Sequence, residues 1–70
     1  MQELTERQLE VFDYICTYYQ EHFYPPTFRE IAKHCHMSLS IAHRHVIALV
    51  NKGYVDYIPR RSRTVCIKRR

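Results

Sequence analysis

Apolar residues recur at helical spacing through the first fifty positions and change to a strand-like rhythm near the end. Leu9, Phe12, Ile15 with Cys16, Tyr19 and Phe23 share one stripe, and Glu6, Glu10, Asp13, Thr17 and Gln20 lie opposite. That pattern predicts an amphipathic helix over 5–23 with the apolar stripe buried. Thr5-Glu6-Arg7-Gln8 has the form of a capping box, in which Thr5 accepts from the third helical amide and Gln8 reaches back. Leu4 and Leu9 flank it at the spacing of a hydrophobic staple. Pro25-Pro26 ends the helix, because a proline forces the residue before it, Tyr24, into extended backbone. Thr27-Phe28-Arg29-Glu30 repeats the capping-box form and opens a short helix over 27–35, with Phe28, Ile31, Ala32 and Cys35 facing inward. His36-Met37 makes a tight turn, and Ser38 caps a third helix over 38–52. There Ala42, Val46, Leu49 and Val50 form the buried stripe, while Ser40, His43, Arg44, Ile47 and Asn51 lie away from it. Gly53, the only glycine, stands where a helix end favours left-handed backbone, beside Lys52.

Beyond Gly53 the residues become β-branched and aromatic. Tyr54–Ile58 and Thr64–Lys68 read as strands over 54–58 and 64–68 around the basic loop Pro59-Arg60-Arg61-Ser62-Arg63, which predicts a hairpin. Tyr54 and Tyr57 then point to opposite faces, and one of them is expected to be exposed; Tyr18 is the other candidate for an exposed aromatic. Two helices joined by a short turn, with a small Ala32 where the next helix crosses, have helix-turn-helix geometry. The expected fold is therefore mainly α (α+β): one domain over 1–70, a winged helix-turn-helix made of a three-helix bundle and a two-stranded β-hairpin wing.

Charge sharpens this picture. The chain carries a net charge of +4, but residues 27–70 hold ten bases against Glu30 and Asp56, whereas residues 1–26 hold Arg7 against five acids. A basic face of this kind is the footprint of a polyanion partner. No apolar run reaches the roughly 20 residues that span a bilayer, and the bases do not share one amphipathic helix, so no membrane partner is expected. MQELTERQ lacks the apolar stretch of a signal peptide, and a cytoplasmic, nucleoid-associated protein is expected. Three cysteines at wide spacings form no disulfide framework and read as small core hydrophobes. His34, His36, His43 and His45 lack the spacing of a zinc motif; no metal, cofactor or small-molecule ligand is expected. No paired acids or glycine-rich phosphate loop is present, and a chain of 70 residues has little room for a catalytic cleft, so it is not read as an enzyme.

In helix-turn-helix geometry the second helix of the pair enters the major groove by its N-terminal residues. Here those are Ser38, Leu39, Ser40, Ile41, His43 and Arg44: the arginine suits a guanine edge, and Ile41 a thymine methyl. Arg60, Arg61 and Arg63 on the wing, with Thr27, are the expected backbone contacts. The alternative is a winged helix that binds protein and never touches DNA; the concentrated positive charge favours DNA.

With these residues in view, the chain resembles the N-terminal DNA-binding domain of the LexA repressor family, which governs the SOS response in bacteria. The resemblance rests on Leu4-Thr5-x-Arg7-Gln8, Val11-Phe12, Tyr24-Pro25-Pro26-Thr27 with Arg29-Glu30-Ile31, His43-x-His45, Ala48-Leu49, Lys52-Gly53, and Pro59, Arg63 and Ile67 of the wing. It implies a bacterial or phage transcriptional repressor, a homodimer on a palindromic double-stranded DNA operator or on paired half-sites. Three departures stand out. Ile31 to Val46 is one residue shorter than in LexA-like chains, His36 replaces the glycine usual in that turn, and no Ser-Lys protease domain accompanies the motif. What the resemblance carries over is DNA binding, not autocleavage.

Overall fold

A computed structural model describes residues 3–61, 63 and 65–67. The elements run in the order α1 (Glu6–His22), α2 (Phe28–His34), α3 (Leu39–Asn51), β1 (Val55–Asp56) and β2 (Cys66–Ile67). This is the winged helix-turn-helix that the pattern predicts. Both capping boxes form, Thr5 with Gln8 and Thr27 with Glu30. The Ser38 hydroxyl accepts from the Ile41 amide at 3.2 Å and opens α3. At the other end of α3 the amides of Gly53 and Tyr54 donate to the carbonyls of Val50 and Leu49, each at 3.0 Å. That pair of bonds is a Schellman motif, and Gly53 sits in it with φ 86°. The α2–α3 turn is built the same way. Met37 donates to the Ala32 carbonyl at 3.0 Å while His36 takes φ 56°.

The three helices and the hairpin enclose one core. Val11 and Ile15 of α1 meet Ile31, Ala32 and Cys35, then Ala42, Val46 and Leu49 of α3, with Val55 and Val65 closing it from the hairpin. Lys52 ties the end of α3 to the start of α1, its Nζ donating to the Glu3 carbonyl at 2.9 Å and to Gln8 Oε1 at 2.6 Å.

Four expectations need correction. The buried stripe of α1 is the one through Val11 and Ile15; Leu9, Tyr19 and Phe23 are exposed, Phe23 by 83%. The cause is tertiary: Tyr14 stacks on His34 of α2 at 4.1 Å, and Phe12 meets Tyr54 edge-on at 5.3 Å, which turns Val11 and Ile15 inward. β1 is shorter than predicted, because the Tyr54 amide is used at the helix end and the Asp56 carboxylate accepts from the Tyr57 amide, and β2 begins at Cys66. They pair antiparallel, Val55 opposite Ile67 and Asp56 opposite Cys66; Thr64 and Lys68 lie outside the described residues. Tyr54 and Tyr57 are both half-buried, one against Phe12 and the other edge-on to Phe28, and Tyr18 is half-buried too. Of the cysteines only Cys35 belongs to the core; Cys66 is exposed on β2.

Candidate nucleic-acid interface

The first two turns of α3, the head of α2 and the wing face one another across an open groove of about 860 Å³. Ser38 orients the α3 wall, since its cap directs Leu39, Ser40, His43 and Arg44 outward from the stripe that Ala42 and Val46 bury. Leu39, Ser40, His43 and Arg44 line the groove, and Thr27 lines it from α2. Arg60, Arg61 and Arg63 close the opposite side. Ser38 and Ile41 are exposed at the start of α3 but do not belong to the wall.

The wing owes its shape to a turn over 58–61, in which the Arg61 amide donates to the Ile58 carbonyl at 3.3 Å. Pro59 takes its second position and Arg60, with φ 68°, its third. Proline followed by left-handed backbone is the pattern of a type II turn, whose third position ordinarily holds glycine or asparagine. An arginine there is conformationally costly, and such outliers gather at functional sites.

Sequence reasoning missed Phe28, Arg29, Tyr57 and Pro59 as groove residues. Arg29 carried a usable signal, a base two residues from Thr27 at the head of α2. The aromatic pair did not. Tyr57 comes to the groove because Phe28 receives its ring at 5.6 Å, leaving its hydroxyl 3.4 Å from His43 Nε2. Arginines from α2, α3 and the wing thus surround the groove, and no carboxylate lines it among the described residues. Arg63 is tied to α2. Its guanidinium forms a two-point pair with Glu30 at 3.0 and 3.1 Å. Burial would raise the Glu30 carboxyl, but the Thr27 amide, Arg63 and Tyr18 together hold it below its usual range. Among the described residues no group of three or more His, Cys, Asp and Glu side chains is placed to hold a metal ion, and no helix is long and apolar enough to cross a membrane.

Residues 1–64 match the LexA DNA binding domain family. The chain is 44% identical over 70 residues to the LexA repressor of Thermosipho africanus, covering 100% of this chain and 35% of that protein. It is 41% identical over 69 residues to LexA repressor 2 of Geobacter sulfurreducens, covering 96% of this chain and 34% of that one. With the LexA repressor of Staphylococcus epidermidis the identity is 41% over 66 residues, or 93% and 32% of the two chains. The chain therefore spans about a third of the length of these curated relatives.

Proposed function

The chain belongs to the LexA DNA-binding domain family, and from that premise we propose that it reads duplex DNA as the specificity element of a transcriptional repressor. The observation that carries this reading is the groove, where arginines from three elements converge on an acid-free wall. Ser40, His43 and Arg44 lie on the exposed face of the first turns of α3, the part of such a helix that meets base edges in the major groove. Ser38, Leu39 and Ile41 flank them at the helix entry. Thr27, Arg29, Arg60 and Arg61 meet the phosphates on either side in this reading.

Two copies on paired half-sites complete the proposal. One α3 presents only three or four side chains to bases, and each matched base pair contributes about 1–3 kcal/mol. A single half-site thus discriminates too little among genomic competitors, and a second half-site supplies the rest.

Selection of bound sites from a random duplex library tests this, with a palindrome of two half-sites as the expected product. On the selected site Arg44→Ala costs about 1–3 kcal/mol and far less on random duplex, because a base-edge contact is lost. Replacing Arg60 and Arg61 together by alanine weakens both kinds of DNA alike and flattens the salt dependence by up to about 2 per protomer. Equal loss on both DNAs for Arg44→Ala would remove α3 as the reader. Failure to enrich any sequence would overturn the proposal as a whole.

A further inference from the structure

A hairpin wing can be held by its strand ladder or by side chains that tie it to the helices. Among the described residues this one has two in each strand, and a ladder that short gives a hairpin little stability of its own. The tip is nonetheless attached to the helices at a second place. Arg63 reaches across to Glu30 with both terminal nitrogens, at 3.0 Å for Nη1–Oε1 and 3.1 Å for Nη2–Oε2. Nη1 also donates to the Tyr18 hydroxyl at 3.0 Å and the Pro25 carbonyl at 3.2 Å. The Tyr18 hydroxyl in turn donates to Glu30 Oε2 at 3.1 Å, and the Tyr24 ring lies under the guanidinium at 4.8 Å. Exposed ion pairs are ordinarily weak, but two-point arginine–carboxylate geometry within a network is the exception. Glu30 is itself immobilised, because the same carboxylate accepts from the Thr27 amide at 2.8 Å.

We propose that Arg63 is a positioning residue, the clamp that locks the wing onto α1 and α2 and so sets Arg60 and Arg61 at a fixed distance from α3. Its charge is spent on Glu30, which also keeps that carboxylate from repelling a phosphate backbone. The clamp acts on DNA affinity through the population of wings in the docked position. This rests on the DNA-binding reading for its consequence, though not for its geometry.

The test combines affinity for a mixed-sequence duplex of about two helical turns, measured at several salt concentrations, with amide hydrogen exchange of residues 56–67 in the free protein. Arg63→Lys keeps the charge and loses the fork; Arg63→Met loses both; Glu30→Gln keeps an acceptor for the Thr27 amide but removes the pair. All three weaken binding about three- to ten-fold, as expected when the competent wing is populated that much less. The salt slope stays at the wild-type value, and wing amides exchange faster. The sign for Glu30→Gln is decisive, since removing a negative charge near DNA raises affinity on electrostatic grounds alone. Glu30→Asp, which retains the charge, recovers part of the loss, and Arg63→Met combined with Glu30→Gln is no weaker than either alone. Should Glu30→Gln unfold the domain by thermal melt, the Arg63 variants decide. Wild-type binding by Arg63→Lys with a slope reduced by about 0.9 in Arg63→Met would make Arg63 a phosphate ligand and overturn the clamp. Unchanged wing exchange in every variant would overturn it as well. Exchange is read without DNA, so a wild-type protein that ignored all duplexes would defeat the DNA reading while the exchange result still judged the clamp.

Discussion

Phe23, His36, Arg60 and Arg63 all adopt left-handed backbone although none is glycine, with φ between 55° and 68°. An L side chain in that region costs about 1–2 kcal/mol, whereas a glycine there gives back about 0.5–1 kcal/mol in chain entropy. Relief should therefore exceed the entropy cost where the side chain contributes little else. Phe23 and His36 meet that condition: both are exposed, and each ends a helix. His36→Gly and Phe23→Gly are expected to raise unfolding free energy by up to about 1 kcal/mol each. Gly53→Ala is expected to lower it by a similar amount, even though nothing lies within 4 Å of the added methyl, because only the backbone objects. Urea titration of the three variants checks the set. A His36→Gly protein no more stable than wild type would show that the turn is not strained.

At the scale of elements, α1 could have presented either of two apolar stripes. Leu9, Phe12, Ile15 with Cys16, Tyr19 and Phe23 make one, Val11 and Ile15 with Tyr14 and Tyr18 the other; the two share Ile15, and burial of Val11 with exposure of Leu9, Tyr19 and Phe23 selects the second. The choice has an energetic signature. Ile15 has no exposed surface, so Ile15→Ala leaves a cavity and costs about 2–5 kcal/mol. Leu9 is 47% exposed, and Leu9→Ala is expected to cost less than about 1 kcal/mol. A domain of this size has total stability of about 4–10 kcal/mol, so the first change approaches unfolding and the second is mild. Equilibrium denaturation that reversed this order would restore the Leu9 stripe to the core.

For the whole molecule, titration couples the bundle to pH. Burial pushes the His45 imidazole below its ordinary value of 6.5, and the nearby Arg7 and Arg44 charges push the same way, against Glu10. Arg7 is held in place by its bond to the Cys35 carbonyl at 3.0 Å and its pair with Glu10 at 3.2 Å. The native state thus binds a proton at His45 less readily than the unfolded chain. Stability is complete above pH 6.5 and falls as pH drops through and below that value, the unfolded state gaining the proton first. Glu30 acts lower down. Its depressed carboxyl stabilises the fold above its ordinary value of 4.5, and that contribution is lost as pH falls through the folded value. Thermal melts from neutral pH downward should show the midpoint declining below pH 6.5, and a shallower decline for His45→Gln. The same slope in both proteins would remove His45 as the cause.

Helix starts, helix ends and the α2–α3 turn were all legible in the chain, because each depends on residues within a few positions of one another. Thr5 with Gln8, Thr27 with Glu30, Ser38 with Ile41, and Gly53 after Lys52 are local arrangements, and their geometry follows from residue type and spacing. The first turns of α3 were legible for the same reason. Once the cap and the Ala42–Val46–Leu49 stripe are placed, Ser40, His43 and Arg44 must lie outside. Tertiary structure alone decided the rest. Which stripe of α1 is buried depends on Tyr14 meeting His34 and Phe12 meeting Tyr54, contacts invisible to helical periodicity. The setting of Arg63 depends on Glu30, 33 residues earlier, and on Tyr18, 45 residues earlier. A basic loop announces charge in the sequence, but a carboxylate brought within 3.0 Å by folding determines which of its arginines holds the wing.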